Sequence, residues 1–214
     1  MNKLFFILLP CALFMACSPS NTNNTQEGLP EGAVDLGLSV YWGTCNIGAS
    51  NASDRGDYYA WGVTETWSKN YKWLGEDWNK VTKYCPEDKT NYWAGTGSPD
   101  NKIVLDLEDD TAHVVLGGKW RIPTVEEWRE LMTKCTYSAG SFTGPNGNSI
   151  FLPRAGGSFE IDAHRGYYWS STLNIDTPFQ ALIMMMEIPG YGDPIHEAVC
   201  ARGNGISIRP VMSK

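Results

Sequence analysis

The chain has 214 residues, with 17 Lys and Arg against 24 Asp and Glu, so its formal net charge is −7. It contains no run of Lys or Arg that could hold phosphates, which excludes nucleic acid as a partner and makes other polyanions poor candidates. The length suits one domain of ordinary size with an ample core.

The N-terminal residues predict export and attachment to a membrane. Lys3 precedes an apolar run that starts at Leu4, and Leu13-Phe14-Met15-Ala16 stands before Cys17, a pattern typical of a signal peptide that ends in a lipobox. The run is too short to span a bilayer, which takes about 20 apolar residues. We therefore predict a signal peptide over residues 1–16 and lipidation of Cys17. Cleavage without a lipid is the alternative.

The residues after Cys17 are mainly Ser, Asn, Thr, Pro and Gly. Residues 17–32 should therefore form the lipidated cysteine and a flexible tether, followed by one domain over residues 33–214. A lipid anchor on a polar tether presents a domain beside a membrane. We expect an outer-membrane lipoprotein of the cell envelope, on its periplasmic or its outer face.

Short stretches of strand character, bounded by Gly, Asn and Pro clusters, run through the domain. We predict strands over residues 36–44, 58–61, 150–152, 167–171, 180–188 and 206–211. Long loops should connect them, because 22 Gly and 12 Pro favour a low helix content.

One connecting segment is rich in aromatic residues: Trp67, Tyr71, Trp73, Trp78, Tyr84, Tyr92 and Trp93. Rings on exposed loops can stack on sugars or anchor a protein partner. A loop-rich fold also needs large rings in its core, so we expect most of these residues to be buried. We take Trp73 and Trp93 as candidate ligand-binding residues.

An acidic run precedes a short predicted helix that starts near Thr111, and Asp109 or Asp110 should cap that helix. The run also offers oxygen ligands that calcium prefers, from Asp106, Glu108, Asp109 and Asp110. The Asp-x-Asx-x-Asx-Gly spacing of calcium loops is missing. A solvated, helix-capping surface is therefore the alternative interpretation, and we predict no other cofactor.

A second helix is predicted to begin after Pro123. Thr124 can serve as its N-cap, and Glu127 can reach back to the Thr124 amide to complete a capping box. Apolar residues then recur at helical spacing on one face: Val125, Trp128, Leu131, Met132 and Cys135. This pattern predicts an amphipathic helix packed on a core.

The residues around this helix start resemble the Arg-Leu-Pro-Thr-Glu-Ala-Glu-Trp segment of the sulfatase-modifying-factor (formylglycine-generating enzyme) superfamily: Trp120-Arg121-Ile122-Pro123-Thr124-Val125-Glu126-Glu127-Trp128. Two further segments are similar to signatures of its lipoprotein relatives: Gly166-Tyr167-Tyr168-Trp169-Ser170-Ser171-Thr172 and Ile206-Ser207-Ile208-Arg209-Pro210-Val211. With residues 33–40 and 58–62, the pattern is similar to the Fibrobacter succinogenes major paralogous domain over about residues 33–211.

This resemblance implies an α+β, C-type lectin-like domain with short helices, a twisted antiparallel sheet and many loops. Formylglycine-generating enzymes act through a pair of cysteines near the C-terminus that bind copper, and this chain has only Cys200 in that region. The resemblance therefore argues against their oxidase chemistry. It also carries over no sugar-binding residues, because the Glu-Pro-Asn and Trp-Asn-Asp motifs of calcium-dependent lectins are missing.

Several residues of the signatures are better interpreted as structural than as catalytic. Arg121 and Arg209 should bind loop carbonyls or carboxylates. Ser170 and Ser171 lack a Gly-x-Ser-x-Gly context and an evident His or Asp partner, so we expect strand residues rather than nucleophiles.

The cysteines and histidines point to no metal centre. With Cys11 and Cys17 set aside, Cys45, Cys85, Cys135 and Cys200 can pair outside the cytoplasm in any of three connectivities. The chain contains no Cys-x-x-Cys, and its three histidines lack ligand-like spacing, so zinc is a poor candidate.

The segment 189–205 precedes the last predicted strand, and we interpret it as a loop that carries ligand-binding residues. The candidates are Tyr191, Asp193, His196, Glu197 and Arg202. These observations predict a non-enzymatic lipoprotein that presents a ligand-binding or adhesive domain to a glycan or a protein. A structural subunit of the envelope or of a surface appendage is the second hypothesis, and a sulfatase-modifying-factor-type oxidase is the third.

Overall fold

The computed structural model describes residues 28–68, 79–159, 164–187, 190 and 193–214. Strand accounts for 31% of this part and helix for 13%, so the chain is mostly β-sheet with a few short helices, compatible with the predicted α+β class. None of the helices in this part is both long enough and apolar enough to cross a membrane.

The elements are short and follow one another with long connections. In chain order they are β1 Ala33–Asp35, β2 Val40–Gly43, the 3-10 helix η1 Glu87–Tyr92, α1 Thr111–Leu116, β3 Trp120–Arg121, α2 Val125–Lys134, β4 Thr136–Ser138, β5 Ser141–Thr143, β6 Ser149–Phe151, β7 Gly166–Leu173, β8 Gln180–Met186, β9 Ile195–Ala201 and β10 Val211–Ser213.

Three antiparallel sheets organise these strands, in the orders β1-β2-β10-β3, β4-β5-β6 and β7-β8-β9. The first sheet joins the beginning of the domain to its end, because β10 pairs with β2 and places Val211 opposite Trp42. The other neighbour of β10 is β3, and this pairing places Val211 opposite Arg121.

The β7-β8-β9 sheet lies between two hydrophobic clusters. Successive side chains of a strand point to opposite faces. Trp169 and Ile183 accordingly belong to one cluster, whereas Tyr168 and Met184 belong to the other. This two-sided burial explains the nearly continuous apolar runs of β7 and β8, and it confirms the predicted strands over 167–171 and 180–188 as far as Met186.

The remaining strand predictions are confirmed in part. Residues 149–151 form β6, but the strand predicted over 36–44 begins only at Val40, because Gly37 has a φ of +76° and its amide bonds to the Asp35 carboxylate. The strands predicted over 58–61 and 206–211 reduce to isolated bridges, which include one between Tyr59 and Ile206, and to the start of β10.

Helix α2 begins as the sequence predicts. The Thr124 hydroxyl accepts the Glu127 amide at 3.3 Å, and the Glu127 carboxylate accepts the Thr124 amide at 2.8 Å, which completes the capping box. Val125, Trp128 and Leu131 are buried. Met132 and Cys135 are partly buried and pack on the hydrophobic cluster that contains Trp128 and Leu131.

The cysteines do not form the disulfides considered above. Cys85, Cys135 and Cys200 carry free thiols, and Cys45 is disulfide-bonded to none of them, so none of the three connectivities among the four core cysteines is present. Burial raises the pKa of the Cys135 thiol to about 11, and it also raises the pKa of Cys85 and of Cys200.

Removing the N-cap hydroxyl should destabilise the domain. We expect Thr124→Ala to lower the free energy of unfolding by about 1 kcal/mol, because the Glu127 amide loses its acceptor. Urea unfolding followed by circular dichroism measures the change. Thr133→Ala makes the same substitution at an exposed position of α2. Equal stability of the two variants would contradict the role of the cap.

The three free thiols, which are buried or partly buried, should react slowly in the folded protein. The thiolate is the reactive form, so raised pKa values leave little of it at pH 8, and labelling of Cys135 should accelerate as the pH rises toward 11. Peptide mapping after pulsed alkylation measures each site, with urea-unfolded protein as the control. Labelling of Cys135 at the same rate in both samples at pH 8 would contradict this prediction.

Candidate functional site

The segment 189–205, predicted as a recognition loop, contains strand β9 Ile195–Ala201, so the loop prediction is wrong for these seven residues. β9 pairs with β8 in unbroken register from Gln180–Ala201 to Met186–Ile195. It pairs with β8 alone among the described strands, so its outer residues need not be apolar. The sequence therefore lacks the hydrophobic alternation that marks a buried strand.

Arg202 does not belong to a recognition surface. It is 4% exposed, its Nη1 donates to the carbonyls of Lys83 and Pro178 at 3.0 Å each, and its guanidinium stacks over the Trp61 ring at 4.7 Å. Burial lowers the pKa of Arg202 to about 10. Arg202 holds the end of β9 against residues 83–84. This structural role corrects its prediction as a ligand-binding residue.

The other candidate ligand-binding residues are only partly brought together. His196 and Glu197 are neighbours on β9, and Glu197 Oε2 accepts from Arg129 Nε at 2.7 Å. Asp193 is exposed in the turn before β9, and its carbonyl lies 3.4 Å from His196 Nδ1. Trp93 is half-buried, and its indole donates to the Gly97 carbonyl of its own loop at 3.0 Å.

Tyr191 and Trp73 lie outside the described residues, as do Cys17, Tyr71 and Trp78. Of the other rings in the aromatic segment, Tyr84 is buried, whereas Trp67 and Tyr92 are half-buried.

The acidic run divides into a partly exposed cluster and a buried cap. Carboxylate oxygens of Asp106, Glu108 and Asp109 lie within 4.8 Å of one another. Lys83 Nζ lies 2.8 Å from Asp109 Oδ2, and Lys102 forms an ion pair with Asp106, so lysines already supply positive charge there.

Asp110 points away from this cluster, which corrects its inclusion among the calcium candidates. Its carboxylate caps α1 by accepting the His113 amide at 3.0 Å, and it accepts the Ile122 amide at 2.8 Å. Burial raises the pKa of Asp110. The predicted capping role is confirmed for Asp110.

The arginines and serines interpreted as structural have structural contacts. Arg121 makes two hydrogen bonds to the Glu127 carboxylate, at 2.7 and 2.5 Å. Ser170 Oγ donates to the Leu182 carbonyl at 2.7 Å, and the Ser171 amide donates to the Pro123 carbonyl at 2.8 Å. These bonds confirm the interpretation of both serines as strand residues.

Sequence reasoning missed a cleft between two loops that follow β2 and β6. Its volume is about 520 Å³, within the range of about 300–1,000 Å³ that holds small ligands. One wall is the loop 48–57 and the other is the segment 153–155. Its lining residues are Gly48, Ala49, Ser50, Ser53, Asp54, Arg55, Gly56, Asp57, Pro153, Arg154 and Ala155.

Side-chain donors hold the backbone of the first wall in place. The Arg55 carbonyl accepts from Asn46 Nδ2 at 2.9 Å and from Ser207 Oγ at 3.1 Å. Asn46 Oδ1 in turn accepts from Arg209 Nε at 2.9 Å. Asn46, Ser207 and Arg209 are all buried, so this wall is attached directly to the core.

The second wall is held in the same manner. The Tyr168 hydroxyl donates to the Pro153 carbonyl, and the Tyr58 hydroxyl donates to the Ala155 carbonyl. Arg209 Nη2 donates at 2.9 Å to the carbonyl of Phe151, just before this wall. Arg209 therefore connects both sides of the cleft.

Two glycines permit the tight path of the first wall. Gly48 has a φ of +78°, and a Cβ at this position would lie 2.3 Å from Asp57 Oδ2. Gly56 has a φ of +71°, and a Cβ there would lie 2.3 Å from the Ile47 carbonyl oxygen. Glycine alone adopts such positions without strain.

The sequence did contain a signal for the cleft. Tyr58, Tyr168, Ser207 and Arg209 all belong to the segments that carry the family resemblance, and each of them holds a cleft wall. The signatures therefore indicate the scaffold of the cleft, whereas its charged lining lies outside them.

A scan of protein-family models and searches of the curated proteins and of the solved structures find no match to this chain.

Removing the amide that connects the first wall to Arg209 should destabilise the protein. We expect Asn46→Ala to lower the free energy of unfolding by about 1–3 kcal/mol, because the Arg55 carbonyl and the buried Arg209 Nε each lose a partner. Hydrogen exchange of residues 46–57 should accelerate. The exposed Asn51→Ala is the control, with a change within about 0.5 kcal/mol. Equal effects of the two substitutions would contradict the role of Asn46.

Proposed function

We propose that this protein is a non-enzymatic lipoprotein of the cell envelope, lipidated at Cys17, whose domain binds a glycan in the cleft between residues 48–57 and 153–155. The observation that carries the proposal is the attachment of both cleft walls to buried donors. A site whose backbone is held in place before the ligand arrives loses little conformational entropy on binding.

The lining of the cleft suits a polar ligand. Ser50 and Ser53 offer hydroxyls, Asp54 and Asp57 offer acceptors, and Arg154 offers donors. Sugar hydroxyls both donate and accept hydrogen bonds, so a carbohydrate can use all of these groups. A concave cleft also favours a small ligand over the broad contact of a protein partner.

We also propose the C-type lectin-like fold and membership of the Fibrobacter succinogenes major paralogous domain. Short helices, small antiparallel sheets and long connections support this proposal. So does the position of the signature residues, because Tyr168 and Arg209 hold the walls of one cleft.

One observation favours a second function, that of a structural subunit. β9 is seven residues long and has β8 as its one partner among the described strands. An open strand edge is a template for strand addition by another chain. Stable oligomers of the purified protein in light scattering would support this function.

Filling the cleft should abolish glycan binding. We expect the full-length protein in mild detergent to bind a subset of a glycan array, and Ser53→Trp to weaken that binding at least about tenfold by occupying the cleft. Ser98→Trp places the same ring on an exposed loop and should leave binding unchanged.

A blank array with folded protein would overturn the glycan proposal, and equal binding by both variants would place the ligand elsewhere. A parallel array with chelator tests calcium. We expect binding to persist, because the cleft supplies its own positive charges.

A further inference from the structure

We infer that the cleft binds a sugar that bears a carboxylate, held between Arg55 and Arg154, with its hydroxyls on the aspartates and serines of the lining. This inference rests on the proposed glycan-binding function and names the chemical class of the ligand.

The arginines of this chain differ in the partners that their side chains bind. The chain has seven arginines, and all of them lie in the described residues. Arg121, Arg129 and Arg165 form ion pairs with glutamates. Two more donate to backbone carbonyls, Arg202 and Arg209.

The remaining two arginines, Arg55 and Arg154, have no carboxylate or carbonyl partner for their side chains within the part of the chain that the structure describes, and both line the cleft. Five arginines thus bind carboxylates or carbonyls of the protein itself, and the remaining two line one cleft.

The two side chains come from opposite walls. Arg55 belongs to the first wall, where its carbonyl is held by Asn46 and Ser207, and its guanidinium lies 5.2 Å from the centre of the Tyr58 ring. Arg154 belongs to the second wall, between residues whose carbonyls accept from Tyr168 and Tyr58.

The Arg154 Nε is buried and has no hydrogen-bond partner among the described residues. A planar guanidinium matches a carboxylate with two parallel hydrogen bonds, which satisfies such a nitrogen.

The aspartates of the lining disfavour a ligand that carries several negative charges. Asp54 and Asp57 line the same cleft but form no ion pair with Arg55 or Arg154 among the described residues. Asp54 Oδ2 accepts from the amide and the side chain of Asn51, at 3.0 Å each. Carboxylates next to guanidiniums repel a second anionic group and accept hydrogen bonds from hydroxyls. The complementary ligand has one carboxylate with hydroxyls on the same ring.

This chemistry is shared by uronic acids and by sialic acids, so the test uses both. The probes are oligosaccharides that end in a uronic acid, the methyl ester of the same compounds, and oligosaccharides that end in a sialic acid. The ester keeps the ring and its hydroxyls but removes the charge. Calorimetry with the full-length protein in mild detergent measures the affinities.

We expect binding of at least one acidic probe and at least about tenfold weaker binding of its uncharged counterpart. Arg154→Gln and Arg55→Gln should each weaken acidic binding at least about tenfold, and Arg154→Lys should retain part of it because the charge remains. Lys119→Gln, an equal change of net charge at an exposed residue, should leave the affinity unchanged.

The outcomes separate the inference from the function on which it rests. Acidic binding that the two arginine substitutions abolish supports the inference, and the uronic and sialic probes identify its source. Binding of neutral sugars that Ser53→Trp abolishes and the arginine substitutions do not affect would overturn the inference and leave the proposed function standing. Absence of binding to every sugar would overturn both. Circular dichroism of each variant shows that it is folded.

Discussion

The buried guanidinium of Arg209 is the interaction on which the arrangement of this domain depends. It is 0% exposed, and its nitrogens donate to the carbonyl of Gly43, the side chain of Asn46 and the carbonyl of Phe151. Burial lowers the pKa of Arg209 to about 10, so the group is still charged at neutral pH. A buried charge is tolerated only when its donors are satisfied. Its three acceptors must therefore keep their positions.

Short elements make such bonds necessary. Strands of two to four residues contribute few ladder hydrogen bonds, so side chains satisfy much of the backbone between them. The indole nitrogens of three buried tryptophans serve this purpose: Trp61 donates to the Ser170 carbonyl, Trp128 to Trp169 and Trp169 to Tyr59. All three bonds involve residues of β7, which is how this strand is joined to α2 and to the segment around Tyr59.

The same contacts connect the core with the walls of the cleft. Ser207 and Arg209 come from the segment before β10, yet they position the backbone of Arg55 and of the opposite wall. The walls of the cleft are therefore positioned by residues that belong to the core. The walls are irregular backbone, and donors from the core hold them in place.

The sequence by itself determined the local features. The start of α2 and the cap of α1 depend on residues within three positions of each other, Thr124 with Glu127 and Asp110 with His113. The strands β7 and β8 were predictable because they are buried on both faces, which demands apolar runs. Each of these requirements concerns residues that are close together in the chain. It is therefore visible as a local pattern in the sequence.

Only the tertiary structure decided the position of β9, the burial of Arg202 and the existence of the cleft. β9 is strand because β8 lies beside it, and Arg202 is buried because the Lys83 carbonyl, 119 positions away, accepts its hydrogen bond. The cleft depends on contacts such as that of Arg209 with Gly43, 166 positions apart. Hydrogen bonds between such distant residues leave no periodic pattern along the chain, so they become visible only when the fold brings their partners together.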